Sequence, residues 1–300
     1  MFSMWDFFAK PFGALMEFIY FNLAFQNYGV AIIIFTLFVK ILLLPLSVKQ
    51  QRSMEKQQAL QPELEALKNK YKDDPRNKQY QEEQMALYSK HKINPYGGCL
   101  PMLLQFPLII IVYQIIRRPL TYVAGLAGNV ISSLAGAYTG AGAGEAFVRT
   151  WSNNEITINN FFLGNTEKFY EIAGQSANLI NMKFMGIFDL GITPRWQFWS
   201  FGDEWKTYLP LMLIPVLAVV SSYVQMWLTN RINNGPKKKG EKKETVPGLG
   251  SVVKIMPLMT LFIGFMVPAG LGFYWIVSNV FGVLQTLLIK KMFNSKKGVV

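Results

Sequence analysis

The sequence has few of the residues that most enzymes and metalloproteins rely on. Its 300 residues include one cysteine, Cys99, and one histidine, His91. A single cysteine excludes an internal disulfide framework, and a single histidine excludes a metal site with several histidine ligands. The HExxH and GxSxG patterns are absent. The composition therefore disfavours an enzyme, and we expect neither a cofactor nor a metal.

Charged residues are also scarce, at 16% of the chain, whereas a soluble domain carries about 25%. Hydrophobic residues make up 51% and are gathered in long runs, as in membrane-spanning helices. The net charge of +12 would suit nucleic acid, but anionic lipids attract the same charge. Because the lysines lie beside apolar runs and no nucleic-acid motif is present, we expect a lipid bilayer partner and no specific nucleic acid.

Five apolar segments predict an all-α integral membrane protein with five transmembrane helices. The predicted spans are 28–49, 100–117, 207–229, 252–267 and 268–290. The apolar run from Val252 to Ile289 is too long for one span, and Pro268 and Gly270 mark a break within it. At about 1.5 Å per residue, a helix of some 20 residues crosses one hydrocarbon layer.

The segment 1–27 is predicted to be an amphipathic helix that lies in the membrane interface. Its polar residues share one helical face: Ser3, Asp6, Lys10 and Glu17. An ordinary spanning helix is the alternative, and Pro11 and Gly13 are positions where we expect a bend or an interruption.

The polar segments between the spans are predicted to differ in structure. Residues 50–99 form a helical hairpin, whose first helix has a short apolar seam at Leu60, Leu64, Leu67 and Tyr71. Its second helix covers Gln79 to His91. Residues 118–206 form a long loop, 230–251 a flexible basic loop, and 291–300 a basic tail.

Lysine and arginine are unevenly distributed among these segments and so predict the orientation. The hairpin segment from Lys49 to Cys99 has ten of them, the loop 230–251 six and the tail from Lys290 four. The loop 118–206 has six in 89 residues, and the first 27 residues have one. With five spans, the basic segments all lie on the cytoplasmic side of a bacterial plasma membrane if the N-terminus is outside.

Polar residues occupy one face of several predicted spans. These residues are Thr36, Lys40 and Ser47 on the first, Gln105 on the second, Ser221, Ser222 and Gln225 on the third, and Trp275, Ser278 and Asn279 on the last. Polar residues in spans face a partner helix or water. Two roles therefore remain open for these residues. They either form hydrogen bonds between helices, worth about 0.6 kcal/mol each, or belong to a functional polar site.

Lys40 poses a separate problem, because no span contains an aspartate or glutamate that could neutralise it. We expect it about eight residues, or roughly 12 Å, from the cytoplasmic end of its helix. The side chain then either extends alone to the interface or faces a water-filled cavity in the inner half of the membrane. Such a cavity would carry a positive charge and could receive a polar or acidic segment.

Three sequence blocks resemble the YidC insertases, whose relatives include the mitochondrial oxidase-assembly and chloroplast thylakoid insertases. The blocks are "KILLLPLSVKQQRSMEKQQALQPELEALKNKY", "INPYGGCLPMLLQFPL" and "VPAGLGFYWIVSN". The resemblance covers about residues 27–293 and is closest to Gram-positive, clostridial-type members, since the large periplasmic domain of Gram-negative members has no counterpart here. It says little about the loop 118–206.

The resemblance implies five helices around a hydrophilic groove that is open to the cytoplasm and to lipid and closed outward. Groove positions of the family match Lys40, Gln105, Gln225 and Trp275, and Asn279 lies in a matching block. Thr36 shares the Lys40 face. Most members carry arginine where this chain has Lys40, so the charge is kept but the bidentate guanidinium is lost.

The implied function is that of a membrane protein insertase and chaperone for nascent membrane proteins. The Sec translocon and the ribosome are further candidate partners, through the basic loop and tail. The main alternative is a secondary transporter with an anion site at Lys40, which is disfavoured because the chain lacks paired halves with matching broken helices. A membrane enzyme is disfavoured because no nucleophile–base pair is evident.

Overall fold

The structure, a computed structural model, describes residues 4–71, 78–93, 100–140, 155–234 and 249–297. The predicted hairpin tip, most of the basic loop and the end of the tail lie outside these ranges. The described residues are mainly helical, since the long apolar runs satisfy their backbone groups within each helix. This agrees with the predicted all-α membrane protein class.

The described residues form a succession of helices along the chain. They are α1 (Met4–Asn22), α2 (Tyr28–Leu42), α3 (Leu44–Ala59), α4 (Gln61–Lys70), α5 (Lys78–Lys90), α6 (Leu100–Arg117), α7 (Pro119–Tyr122), α8 (Gly128–Gly140), α9 (Glu155–Leu163), α10 (Thr166–Ala173), α11 (Trp205–Asn234), α12 (Leu249–Gly264) and α13 (Ala269–Lys297). Two short strands, β1 (Lys183–Phe184) and β2 (Phe188–Asp189), pair antiparallel, with Lys183 opposite Asp189.

The chain divides into two compact units. The first comprises Met1–Val39, Pro107–Ser221 and Leu258–Ser278. The second comprises Lys40–Phe106, Ser222–Pro257 and Asn279–Val300. Every boundary between the units falls inside a helix, in α2, α6, α11, α12 and α13.

The first predicted span is not one straight helix. Helix α2 ends at Leu42, and α3 begins at Leu44 after a bend of 61°. Pro45 lies in the first turn of α3. Because a proline has no backbone N–H and its ring collides with the carbonyl four residues earlier, α2 cannot continue through this position. The expectation of an unbroken helix from 28 to 49 is therefore corrected.

The apolar helices differ in length. Within the described residues, Gly202–Ile232 and Ala269–Met292 are long and apolar enough to cross a membrane, and the bent pair α2–α3 is a third candidate. Gln105–Arg117 is a shorter apolar helix. The break expected near Pro268 lies between α12, which ends at Gly264, and α13, which begins at Ala269.

Helix α1 runs unbroken from Met4 to Asn22, with Pro11 inside it. It buries Met16 and Tyr20, while Phe7 and Phe18 stay exposed. The Tyr20 hydroxyl accepts a hydrogen bond of 3.1 Å from the backbone N–H of Asn181. This helix is thus fixed to the rest of the first unit along one face.

The segment 118–206, predicted as a long loop between spans, contains a packed core of its own. Helices α8, α9 and α10 surround a cluster of buried side chains: Leu120, Ile131, Leu134, Ala135, Ile158, Phe162, Phe169 and Ala177. The buried Asn159 side chain pairs with the backbone of Ile180, accepting its N–H at 2.9 Å and donating to its carbonyl at 2.7 Å. Both polar groups of this amide are satisfied, so its burial costs little.

Glu155 is a fully buried carboxylate at the start of α9, with 0% of its surface exposed. It accepts hydrogen bonds from the Thr121 hydroxyl at 2.6 Å and the Thr121 N–H at 2.9 Å. Arg118 Nε lies 3.3 Å from the same carboxylate. Burial raises the pKa of Glu155, and the Thr121 and Arg118 contacts oppose that rise. Glu155 therefore joins α9 to α7.

Replacing Glu155 with alanine should lower the unfolding temperature by several degrees. The change would leave Arg118 and the Thr121 N–H without their acceptor, a loss of about 3 kcal/mol for a broken buried pair. Thermal unfolding in detergent, followed by circular dichroism, measures the effect. Glu171→Ala is the matched control, because Glu171 is exposed on the neighbouring α10. Equal losses in the two variants would contradict this role for Glu155.

Candidate functional site

Lys40 lies in the last turn of α2. The predicted distance of eight residues to the helix end is therefore too long, because the helix ends at the Leu43 bend. Carbonyl groups in the last turn of a helix lack intrahelical partners and carry partial negative charge, which stabilises a nearby cation by about 0.3–1 kcal/mol. Insertion of a charge at the bilayer centre costs roughly 3 kcal/mol, so the helix end offsets only part of that cost.

Lys40 is half-buried, and no acidic side chain in the described part of the chain forms a salt bridge with it. Thr36, one turn earlier, is 1% exposed, and its hydroxyl donates to the Ile32 carbonyl at 2.6 Å. The Thr36 hydroxyl is thus bonded to its own helix. Of these two polar groups, the Lys40 ammonium can therefore bind a ligand more readily than the Thr36 hydroxyl can.

Gln225 and Asn279 lie on facing sides of α11 and α13 in the second unit. Asn279 Nδ2 donates to the Ser222 hydroxyl at 2.9 Å. One turn further along both helices, a methyl group at Gly282 would overlap the Gln225 amide. The missing side chain at Gly282 therefore makes room for the Gln225 amide, and polar side chains lie at the contact between the two helices.

Helices α11 and α13 run in the same direction. In the second unit, Ser222 pairs with Asn279, and Gln225 lies against Gly282. In the first unit, a Cβ on Gly272 would lie 2.7 Å from Ile214 Cγ2. Since residue numbers increase together along both helices, their packing is parallel. The chain must therefore return between them.

The remaining predicted site residues belong to different units. Gln105, on α6, is half-buried in the second unit, together with Lys40, Gln225 and Asn279. Trp275, on α13, is half-buried in the first unit, to which Thr36 also belongs. The role of Gly282 was not predicted from the sequence, because a glycine gives no local signal that it accommodates a neighbouring amide.

The two hairpin helices α4 and α5 are joined by polar contacts at both ends. Glu83 accepts hydrogen bonds from Lys70 Nζ at 2.7 Å and from the Tyr71 hydroxyl at 2.7 Å. These bonds hold the pKa of Glu83 below its usual range. His91 Nε2 lies 3.2 Å from a Glu63 carboxylate oxygen. Because these groups are largely exposed, each contact adds little to stability.

An open groove of about 490 Å³ runs between α4 and α5. Its apolar lining comes from Ala66, Leu67, Ala86 and Leu87, and charged side chains border it. Leu67 belongs to the predicted apolar seam. The hairpin thus has a shallow apolar surface of its own. The first helix of the hairpin, predicted to begin near residue 50, is divided in the structure, because α3 ends at Ala59 and α4 begins at Gln61.

Gly282→Ala should reduce the insertase activity that the resemblance implies by about threefold. The unfolding temperature should be nearly unchanged. The added methyl displaces the flexible Gln225 amide, and one polar interaction inside a membrane protein is worth about 0.6 kcal/mol, which corresponds to roughly threefold. Gly136→Ala is the matched control, because a methyl there meets no atom within 4 Å. A double-mutant cycle with Gln225→Ala checks the cause. If Gly282→Ala reduces the activity of the Gln225→Ala variant equally, Gln225 is not the group affected.

The fold and these polar helix faces define a class: a helical, multi-pass membrane protein whose apolar helices carry a lysine and several uncharged polar groups. Comparison with known sequences narrows that class. A family profile described as 60Kd inner membrane protein matches residues 20–297. The chain belongs to this family.

Curated relatives agree with that assignment. The chain is 28% identical over 287 residues to membrane protein insertase YidC 2 of Bacillus anthracis, covering 95% of this chain and 80% of that protein. It is 28% identical over 267 residues to membrane protein insertase MisCA of Bacillus subtilis, covering 88% and 71%. It is 26% identical to membrane protein insertase YidC of Chlamydia caviae, covering 97% of this chain and 29% of that longer protein. The family resemblance is thus confirmed.

Proposed function

We propose that this protein is a membrane protein insertase that inserts nascent integral membrane proteins and helps them fold. The observation that carries this proposal is Lys40, a half-buried cation with no salt-bridge partner in the described part of the chain, in a family whose curated relatives are named insertases. The positive charge marks a hydrophilic groove in the inner leaflet, to which Gln105, Gln225 and Asn279 also belong.

Five crossings of the membrane are supported by the composition of the two units. The first unit contains the N-terminal parts of α2, α11 and α13 and the C-terminal parts of α6 and α12. The second unit contains the opposite parts of the same five helices. N-terminal and C-terminal helix parts alternate in this way when a chain crosses the membrane five times. The parallel packing of α11 and α13 requires the chain to return between them, and α12 is the apolar helix in that stretch.

The charge distribution supports a cytoplasmic location for the second unit. Of the 30 lysine and arginine residues, 22 belong to it, including the hairpin, the basic loop and the tail. Cytoplasmic segments of membrane proteins carry this excess. The N-terminus and the segment 118–206 are then external, and α1 lies in the outer interface with Phe7 and Phe18 toward lipid.

Hydration of the second unit is supported by buried donors that have no partner in its described part. The amide nitrogens of Gln50 and Gln285 are buried, and neither has a hydrogen-bond partner among the described residues. A buried donor without a partner costs about 1–3 kcal/mol, and ordered water relieves that cost. A hydrated inner half would also keep the Lys40 ammonium charged.

The mechanism needs no covalent chemistry. A client first contacts the hairpin, whose α4–α5 groove offers an apolar surface. Its polar tail then enters the groove and pauses at Lys40, while its apolar segment moves along the exposed faces of the helices into lipid. Burial of that segment drives transfer, and the membrane potential adds about 2.3 kcal/mol per charge per 100 mV for acidic tails.

The same topology supports two larger partners, the ribosome and the Sec translocon. The basic loop 230–251 and the tail 291–300 would face the cytoplasm, where the ribosome presents negatively charged RNA. The Sec translocon is the second partner, because both machines deliver apolar segments to the same bilayer. These partners would contact the second unit and would not require the groove.

The insertase and transporter hypotheses are separated by one comparison in proteoliposomes. The purified protein should insert a small single-spanning coat-type protein and should not accumulate radiolabelled anions above protein-free liposomes. Lys40→Gln is the variant to compare in both assays. Saturable anion uptake that depends on Lys40, without client insertion, would instead establish a transporter.

A further inference from the structure

An unusual group of exposed aromatic side chains precedes α11. We call residues 195–205 the aromatic turn; it contains two single 3₁₀ turns, Phe198–Ser200 and Gly202–Glu204. Trp196, Phe198, Trp199 and Trp205 are each between 52% and 67% exposed. Trp199 makes edge contacts with Trp196 and Phe198, at centroid distances of 5.3 and 5.1 Å. Exposed apolar patches of this kind mark an interaction surface.

The aromatic turn is held firmly against the start of α11. Phe201 is buried and stacks on Tyr208 at a centroid distance of 5.4 Å. The Arg195 guanidinium lies 4.4 Å from the centre of the same Tyr208 ring and 3.8 Å from the Glu204 carboxylate. Since both ends of the turn contact Tyr208 or the residues beside it, the fold sets the outward direction of the Trp196, Phe198 and Trp199 rings.

The patch continues directly into an exposed apolar stripe on α11. The stripe consists of Trp205, Leu209, Leu213, Val216, Leu217, Val220, Val224 and Trp227. From Trp205 to Trp227 the helix rises by about 33 Å, close to one hydrocarbon thickness. Each terminal tryptophan has a cation beside its ring, Lys206 at 5.8 Å and Arg231 at 5.4 Å. This is the arrangement of a helix with one tryptophan at each membrane interface.

We propose that the aromatic turn inserts into the lipid headgroup layer at the N-terminal end of α11. Tryptophan prefers this layer because its ring is apolar and its N–H needs a polar partner. Lys206 is placed for a lipid phosphate. The exposed carboxylates of Asp203 and Glu204 limit insertion to the headgroup level, since they would not enter hydrocarbon. The turn thereby fixes the depth of α11 and attaches the segment 118–206 to the membrane surface.

The test places one fluorescent label on the turn of the full-length protein. In a Cys99→Ser background, Phe198→Cys carries an environment-sensitive dye, and the protein is reconstituted in phosphatidylcholine liposomes. The lipids carry a nitroxide quencher either near the glycerol or near the chain end. Glu171→Cys, at an exposed acidic position on α10, is the control. Trp196→Cys repeats the measurement in case Phe198→Cys perturbs folding, which circular dichroism monitors.

We expect blue-shifted emission at position 198 and quenching by the shallow nitroxide at least twice as strong as by the deep one. The dye at position 171 should resemble the same dye in water. Two results would overturn the proposal: no quenching at positions 198 and 196, or stronger quenching by the deep nitroxide. If quenching is absent and the emission shifts as the protein concentration rises, the patch instead contacts a second copy of the protein.

Discussion

Replacing Lys40 with glutamate should reduce the insertion of clients with acidic tails by at least tenfold, whereas arginine should support nearly normal activity. At an effective dielectric constant of about 20, two unit charges about 4 Å apart interact by roughly 4 kcal/mol. Charge reversal turns that attraction into repulsion. Arginine keeps the charge and adds a planar fork that suits carboxylates. Insertion into proteoliposomes, with matched acidic and neutral clients, measures the effect.

Two controls separate this local effect from net charge and from folding. Lys56→Glu makes the same change in net charge at an exposed position on α3 and should leave insertion unchanged. Lys40→Gln removes the charge without reversing it and should impair acidic clients less than glutamate does. Glutamate is also disfavoured at a helix C-terminus, so circular dichroism must show that the variant folds. Full activity of Lys40→Glu on acidic clients would exclude the electrostatic role.

A membrane-impermeant thiol reagent should reach the groove from the cytoplasm alone. In a Cys99→Ser background, cysteines at Ser47 and Gln225 should react from the cytoplasmic side, with Ser47 faster. A cysteine at Trp275, in the first unit, should react more slowly. Cysteine at Thr36 should be nearly inert, because this position is 1% exposed. The expected physical cause is a cavity hydrated from one side only.

Sidedness in this experiment is checked with a position outside the groove. Glu171→Cys, in the segment proposed to be external, should react only with reagent added outside. Labelling of Gln225→Cys from both sides would show a continuous channel. Absence of labelling at Ser47 and Gln225 from either side would mean that Lys40 extends to the interface with no hydrated groove around it.

The sequence predicted the family, which the comparisons confirm, and relatives that are named membrane protein insertases support the predicted function. It did so because three ordered blocks carry the resemblance, and those blocks need no tertiary information to be recognised. The clostridial-type assignment and the N-out orientation stay predictions. The helical membrane class also followed from composition, since long apolar runs with few charges can satisfy their backbone groups only as helices in lipid.

The position of Lys40 within its helix was predicted less well. The segment from Tyr28 to Val48 is mainly apolar throughout, so its hydrophobicity alone predicts one continuous span. The 61° bend after Leu42 places Lys40 in the last turn of α2. Pro45 was a local signal for this break, but a proline within an apolar run can kink a helix or end it, and packing decides between the two.

What the sequence determined by itself was periodic and local: the apolar runs, the polar helix faces and the unequal distribution of lysine and arginine. Only the tertiary structure decided which polar groups meet. It paired Asn279 with Ser222, placed the Gln225 amide against Gly282 and enclosed Glu155 between Arg118 and Thr121. These contacts join residues that are 34 to 57 positions apart or lie on different helices. Helical periodicity predicts the face on which a residue lies, whereas the neighbour of that face depends on how helices distant in sequence pack.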